Sequence, residues 1–193
     1  MNKEGLKFCD NPKLETERLI LRKIQEDDAE DVFGYAKNPE VAKYTTWEAH
    51  KSLKDTKIYI NWVIGRYKND ETGDWVIQLK ETGKIIGSLG FAQLDLHNSC
   101  GSIGYALGKE YWGRGIATEA VKRLIQFGFE EMELNRIDAV HIPENEASGK
   151  VMQKSGMKYE GLIRQKLFAK GIFWDVKQYS ITKDEWMGEN RVI

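Results

Sequence analysis

The stretch YWGRGIATEA, from Tyr111 to Ala120, places two glycines one residue apart directly before a segment with helical spacing of apolar residues. Glycine loses more conformational freedom on folding than other residues, so this pair indicates a sharp turn or backbone that closely approaches a ligand. The preceding residues, SIGYAL (102–107), are predicted as a short strand. The first amides of a helix have no partner within the helix and attract anions. We therefore expect Gly113 and Gly115 to form a phosphate-binding loop.

Two better-known phosphate motifs match this loop only in part. The spacing from Gly108 to Gly113 resembles a P-loop, but Arg114 and Gly115 stand where Lys and Ser or Thr are needed. The run from Gly113 to Thr118 lacks the third glycine of a dinucleotide-binding fingerprint. A protein that binds ATP or NAD through this loop is therefore a disfavoured alternative.

The composition of the chain is that of an ordinary globular protein. Its 193 residues are 41% hydrophobic and 31% charged, and 29 Lys+Arg against 30 Asp+Glu give a net charge of -1. This balance points to neither a nucleic-acid partner nor an anionic membrane. Cys9 and Cys100 are isolated and the three histidines are scattered, so we expect no disulfide and no metal site. Without an apolar leader or a membrane-length apolar run, the expected location is cytoplasmic.

The order of predicted elements indicates an α+β fold around one mixed sheet. No repeat or flexible linker interrupts the chain, so we expect a single domain over residues 1–193. In the second predicted helix, Ile58, Trp62 and Ile64 are expected to share the buried face. The predicted elements are a strand at 17–24, helices at 27–38 and 53–69, strands at 75–80, 84–91 and 102–107, a helix at 117–132, a strand at 136–142, a helix at 145–156, and strands at 158–168 and 173–182.

Four stretches, in this order along the chain, carry a resemblance to a known family. They are LETERLILRKI (14–24), the run from IGYALGKEYWGRG to LNRIDA (103–139), PENEASGKVMQKSGMKYEGLIR (143–164) and GIFWDVKQYSITKDEW (171–186). They resemble the GNAT superfamily of acyl-CoA-dependent N-acetyltransferases, and within it the RimJ/RimL branch. The resemblance implies a central mixed, mostly antiparallel twisted sheet flanked by helices.

The resemblance also implies acetyl-CoA as cosubstrate, with its pyrophosphate on the glycine loop. The family's cofactor signature lies on Trp112 to Ala117, where Trp112 replaces the usual polar residue and is expected to pack. The backbone of Ala106 and Leu107 would bind the pantetheine arm or the acetyl carbonyl, between splayed strands at 102–107 and 136–142. Asn145 would touch the pantetheine, although a helix cap explains it as well. The predicted pyrophosphate cradle consists of Gly113, Arg114, Gly115, Ile116, Ala117 and Thr118, with charge added by Arg114.

The proton donor of the family is altered in this chain. Many members use a tyrosine at the position of Met152, which has no proton to donate. Ser148 matches a family serine and is therefore the predicted catalytic acid for the departing thiolate. A backbone N–H near Leu107 would stabilise the oxyanion.

The proton acceptor is left open by the sequence. Members of the family often carry Glu just before IGY, where this chain has Ser102. Glu160, Asp175 and His141 are candidates, and a water relay is an equal alternative.

The acceptor implied by the resemblance is a primary amine, often the α-amine of a ribosomal or other protein N-terminus, with small amines and drugs as alternatives. Trp47, Trp62 and Trp174 would line its groove or pack in the core. A homodimer stays open, as does a non-catalytic acyl-CoA-binding module.

Overall fold

Strands and helices follow one another along the chain in the computed structural model, which describes residues 11–69 and 73–190. The strands are β1 (Leu14–Glu15), β2 (Leu19–Lys23), β3 (Trp75–Leu79), β4 (Ile85–Asp95), β5 (Cys100–Leu107), β6 (Arg136–His141), β7 (Lys158–Ala169) and β8 (Ile172–Thr182). The helices are α1 (Ala29–Ala36), α2 (Pro39–Ala42), α3 (Leu53–Lys68), α4 (Ile116–Glu130), α5 (Glu146–Lys154) and α6 (Lys183–Asn190).

The eight strands of the described residues form one sheet in the order β1-β2-β3-β4-β5-β6-β8-β7. Neighbouring strands run antiparallel except β5 and β6, which are parallel. This confirms the predicted α+β class with a mixed, mostly antiparallel sheet. The sequence did not predict β1 and α2, because segments of two and four residues are too short to show a periodic pattern. It also missed α6, whose sequence KDEWMGEN carries few apolar residues.

Helices cover both faces of the sheet. On one face α4 packs so closely that a Cβ added at Gly128 would lie 2.7 Å from Ile137 Cδ1 of β6. On the other face, α1 and α3 form a second core with β3, in which Val32, Ile60 and Val76 are buried. Each face of the central strands therefore has its own helical layer.

The buried stripe of α3 differs from the prediction. Thr56, Ile60 and Val63 face the core, whereas Ile58 and Trp62 expose 59% and 56% of their surface. Ile64 is partly buried against this core, but the prediction was wrong for Ile58 and Trp62, because both sets of residues have helical spacing and spacing alone does not say which stripe meets the sheet. Trp62 is thereby left outside the second core and largely exposed.

The first helix begins later than the sequence indicated. The predicted helix at 27–38 starts only at Ala29, after a 3-10 turn over Glu26–Asp28. Asp28 accepts two hydrogen bonds from the guanidinium of Arg22, at 2.8 and 2.7 Å, and one from the Gln25 amide at 2.8 Å. These charge-assisted bonds fix the turn against β2.

Candidate active site

A cavity of about 2160 Å³ opens on both faces of the sheet around β5. Its walls come from α1, α3, β4, β5, β6, α5 and the loop before α4. Sites for single small molecules have typical volumes of about 300–1,000 Å³. This cavity therefore has room for a long cosubstrate and an acceptor together.

The glycine loop forms one end of the cavity. Gly113 and Gly115 have φ values of +74° and +76°, a left-handed conformation that other residues rarely adopt. Gly115 is the N-cap of α4, and the first amide bonded within this helix is that of Glu119, which donates to Gly115 O at 3.0 Å. The amides of residues 116–118 precede it, line the cavity and have no acceptor in the helix. The loop therefore has the geometry of an anion site.

An ion pair keeps this helix end suitable for an anion. Glu119, in the first turn of α4, accepts hydrogen bonds from Arg18 Nε at 2.7 Å and Thr16 Oγ1 at 2.5 Å. Burial alone would raise the pKa of Glu119, but these bonds and the charge of Arg18 lower it. Arg18 also donates to the Arg114 carbonyl at 3.1 Å. The sequence analysis did not identify Arg18. Its positive charge offsets the negative charge of Glu119, which lies close to the loop.

The two side chains that flank Gly113 face away from the cavity or anchor the loop. The guanidinium of Arg114 lies over the Tyr111 ring at 5.7 Å. That Arg114 adds positive charge to an anion-binding site therefore stays a prediction. Trp112 is 44% exposed, and its indole Nε1 donates to Leu107 O at 2.7 Å. Trp112 thus ties the loop to the end of β5.

A slot opens where β5 and β6 diverge. The two strands pair only from Cys100 opposite Arg136 to Ser102 opposite Asp138, while β6 continues along β8 as far as His141. The predicted splaying of these strands is confirmed. The open part of β5 runs over five residues beyond Ser102, about 16 Å at roughly 3.3 Å per residue.

The β4–β5 ladder decides which amides face the slot. Gly108 N–H donates to Ile86 O at 2.8 Å, and Ala106 lies opposite Ser88. Residues of an antiparallel strand alternate in the direction of their backbone groups. Ala106 therefore directs its N–H and C=O towards β4, whereas Tyr105 and Leu107 direct their amides into the slot.

The predicted acid, Ser148, has a hydroxyl partner that the sequence analysis missed. Tyr105 Oη lies 2.8 Å from Ser148 Oγ and donates to the Ser148 carbonyl at 3.0 Å. Burial raises the pKa of Tyr105 to about 12, while the Ser148 hydrogen bond opposes this shift. Asn145 caps α5 by accepting from the Ser148 amide at 3.3 Å. Both residues of the Tyr105–Ser148 pair line the cavity.

A carboxylate lies at the point where the slot begins. Ser102 Oγ donates to Asp138 Oδ1 at 2.5 Å, and both side chains line the cavity. Ile137 and Ala139 on either side of Asp138 are buried in the core on the α4 face, so Asp138 and Ser102 point to the face of α1 and α3. Asp138 thus places an acid group beside the position where Ser102 replaces the family's glutamate.

The three bases considered from sequence lie elsewhere or are covered. Glu160 is held by Arg136 in two hydrogen bonds of 2.9 and 2.5 Å, which lower its pKa. Asp175 accepts from the Gln165 amide at 2.8 Å. His141 belongs to the cavity walls but is only 6% exposed, and burial lowers its pKa.

Comparison with known proteins identifies the family of this chain. Residues 18–158 match the family model described as an acetyltransferase (GNAT) domain. The chain belongs to the GNAT acetyltransferase family. The described residues of this acetyltransferase include no cluster of ligands that could hold a metal ion. Within the same ranges, no helix is both long and apolar enough to span a membrane.

The relatives of this GNAT acetyltransferase include the RimJ/RimL-like proteins expected from sequence. N-acetyltransferase p20 of Bacillus licheniformis is 38% identical over 175 residues, which cover 91% of this chain and 98% of p20. A GNAT acetyltransferase from Bacillus anthracis is 28% identical with a TM-score of 0.80, over 90% of this chain and 99% of that one. The ribosomal-protein-S5-alanine acetyltransferase of Vibrio fischeri is 28% identical with a TM-score of 0.77, over 91% and 98% of the chains.

Two of the three tryptophans considered for the acceptor groove line the cavity of the acetyltransferase. Trp47 and Trp62 belong to its walls. Trp174 instead donates from Nε1 to Ala169 O at 3.2 Å within the β7–β8 hairpin. Cys100 is a free thiol, and Cys9 lies outside the described residues.

Proposed function

We propose that this acetyltransferase transfers an acetyl group from acetyl-CoA to a primary amine, by direct attack within a ternary complex. The observation that carries the proposal is the slot between β5 and β6, which ends at the unpartnered amides of the glycine loop. An anion fits the loop, and an extended amide-containing arm fits the slot. Acetyl-CoA would supply a thioester whose carbonyl carbon is attacked by the amine.

The slot separates the candidate base and the candidate acid onto opposite faces of the sheet. Asp138 and Ser102 face α1 and α3, whereas Tyr105 and Ser148 lie on the face of α5. Ser102 and Tyr105 are three residues apart, about 10 Å along a strand. An amine can therefore approach from one face while the sulfur departs on the other.

Each of these groups has a distinct task in the proposed reaction. Asp138 accepts a proton from the amine, directly or through the Ser102 hydroxyl, and so keeps a lone pair on the nitrogen. The amides of Tyr105 and Leu107 stabilise negative charge on the carbonyl oxygen. Ser148 donates its hydroxyl proton to the sulfur. The Tyr105 hydroxyl turns from the Ser148 carbonyl to Ser148 Oγ, 2.8 Å away, replaces that proton and later regains one from water.

The finer identity of the acceptor is also a proposal. A protein α-amine is supported by relatives named as ribosomal-protein acetyltransferases, including the one from Vibrio fischeri. A small amine is supported by the cavity, whose acceptor side is walled by α1 and α3.

Thermal denaturation with different ligands tests whether the protein binds acetyl-CoA rather than ATP or NAD. A ligand at a hundred times its dissociation constant stabilises the native state by about 2.7 kcal/mol. For a chain of this size, each kcal/mol raises Tm by roughly 2–4 °C. We expect acetyl-CoA to raise Tm by roughly 5–10 °C in thermal denaturation, and ATP or NAD to leave it unchanged. An equal shift with ATP or NAD would refute the proposed cosubstrate.

A substitution in the glycine loop tests the anion site. Gly115→Val places a β-branched side chain at φ +76° and blocks the approach of a phosphate to the backbone. Calorimetry should show acetyl-CoA affinity reduced by tenfold or more, equivalent to about 1.4 kcal/mol. Gly171→Val is the matched control, because Gly171 has φ +74° at the β7–β8 turn, outside the cavity. Equal affinities in the two variants would contradict the site.

Thiol release distinguishes the enzyme from a non-catalytic coenzyme-binding module. If the protein binds acetyl-CoA but releases no thiol from it with any primary amine, it is a non-catalytic binding module.

A further inference from the structure

The sheet has an almost side-chain-free strip on the acceptor side of the slot. The register places Ser88 opposite Ala106 and Gly90 opposite Gly104. Gly104 is exposed, and a Cβ added there would meet no atom within 4 Å. The strip forms a floor whose six residues all line the cavity, and it is open at Gly104 whereas Gly90 is buried; the strip consists of Ser88, Gly90, Ala92, Ser102, Gly104 and Ala106.

A carboxylate borders this floor on the side away from the slot. Asp74 directly precedes β3, and a Cβ added at Gly90 would lie 2.7 Å from Asp74 Oδ1. The carboxylate therefore lies over Gly90, where only a glycine leaves space for it. Its other oxygen, Oδ2, accepts a hydrogen bond from Tyr59 Oη at 2.8 Å. Asp74 is half-buried and lines the cavity, so a ligand on the floor can reach it.

The charge of Asp74 is poorly compensated by its surroundings. Burial raises the pKa of Asp74. The hydrogen bond from Tyr59 opposes that shift, and the positive charge of Arg66 opposes it more weakly than the hydrogen bond does. The guanidinium of Arg66 lies over the Trp62 ring at 5.1 Å. Even partial withdrawal of a carboxylate from water is costly unless a cation or hydrogen bonds balance its charge. A ligand cation at Asp74 would therefore be favoured.

Aromatic rings extend from Asp74 along the same wall. Successive ring centroids from Trp47 to His50, Tyr59 and Trp62 are 5.6, 6.2 and 6.4 Å apart. Burial lowers the pKa of His50, so its ring favours the neutral form. Ring faces attract ammonium groups, most strongly where water is excluded. The Arg66 guanidinium already lies over Trp62, so a ligand cation would meet Asp74 together with the rings of Trp47, His50 and Tyr59.

Asp74 lies at a distance from the slot in which the amine nitrogen would react. Gly90 and Gly104 lie on neighbouring strands, about 4.8 Å apart, and the slot lies beyond β5. The carboxylate is therefore one to two strand spacings, about 5–10 Å, from the slot. This distance suits a second group on a compact acceptor, whose first amine reacts beside Asp138.

We propose that Asp74 and the Trp47–Trp62 wall bind a second ammonium group of the acceptor, so that the preferred acceptors are compact molecules with two amines. This inference rests on the proposed acetyl transfer. The chemistry is shared by free diamines and by a peptide whose N-terminal residue is lysine.

The first test compares substrates on the unaltered protein. Unbranched α,ω-diamines and monoamines of the same chain length are assayed by thiol release from acetyl-CoA. We expect kcat/KM to be at least tenfold higher for the diamines. Equal values would overturn the inference while leaving acetyl transfer intact. Absence of turnover with every amine, despite acetyl-CoA binding, would instead overturn the proposed function.

The second test removes the charge. Asp74→Asn should raise KM for diamines at least tenfold and leave monoamine turnover unchanged. Glu40→Gln is the matched control, because Glu40 is a cavity-wall carboxylate paired with Lys109, away from the floor. An equal loss with diamines and monoamines in Asp74→Asn would overturn the inference. The substrate comparison needs no variant, so it stands even where Asp74→Asn fails to fold.

A third arm separates the two sources of the second amine. Peptides that begin with lysine are compared with otherwise identical peptides that begin with norleucine, and the acetylated nitrogen is located by mass spectrometry. Preference for the lysine peptide over norleucine supports a peptide source, and turnover of free diamines alone supports a small molecule. Equal turnover of both peptides together with equal turnover of diamines and monoamines overturns the second-ammonium site.

Discussion

Asp138→Asn should lower kcat by 10²-fold or more, within the range of about 10²–10⁴ typical of general acid–base catalysis. The amide cannot take up a proton from the attacking amine. Its carbonyl oxygen can still accept the Ser102 hydroxyl, which Asp138 Oδ1 accepts at 2.5 Å in the native protein. We therefore expect the local structure to be retained while the proposed base is lost. Steady-state kinetics at saturating acetyl-CoA, with Tm as a folding check, measure the effect.

Asp175→Asn provides the matched control for this substitution. Asp175 accepts the Gln165 amide at 2.8 Å and lies outside the cavity walls, and an asparagine oxygen can accept the same bond. We expect its kcat to stay within twofold of the native value. Native activity in Asp138→Asn would remove Asp138 from the mechanism and favour a water relay.

Ser148→Ala should lower turnover about 10²-fold and leave acetyl-CoA affinity nearly unchanged. The variant removes the hydroxyl that lies 2.8 Å from Tyr105 Oη and that is proposed to protonate the departing sulfur. The cap of α5 survives, because Asn145 accepts from the backbone amide of Ser148 and not from its side chain. Thiol-release rate, Tm and acetyl-CoA affinity are measured on the same protein.

A purely structural role for Ser148 predicts the opposite pattern. Loss of the hydrogen bond between Ser148 Oγ and Tyr105 Oη would cost about 1 kcal/mol of stability with little kinetic change. Tyr105→Phe discriminates further, since it removes the hydrogen bond to Ser148 Oγ but keeps the serine hydroxyl. A fully active Ser148→Ala protein would assign the proton to water or to another hydroxyl.

The fold and the conformation of the glycine loop could be predicted because their signals are local. Gly113 and Gly115 precede an amphipathic helix, and both have the positive φ that calls for glycine. The hairpin over β7 and β8 was predicted from two strand-like segments and a short turn, which includes Gly171.

The partners within the site could not be predicted because they come from distant parts of the chain. Tyr105 and Ser148 are 43 residues apart, and Ser102 and Asp138 are 36 apart. One usable signal existed: Asp138 is an ionisable residue in the middle of an apolar strand, RIDAVHI (136–142). Asp74 gave no such signal, since its place over Gly90 depends on the pairing of β3 with β4.

Because β5 and β6 pair over only three residues, the slot between them is equivalent to a missing strand. Three residue pairs join these strands before the amides of Tyr105 and Leu107 face open space. An extended peptide can complete a sheet by adding its backbone to such an edge. The pantetheine arm of coenzyme A contains two amide groups, so it would be bound by strand addition. Recognition would then depend on the main chain of β5, which side-chain substitutions leave in place.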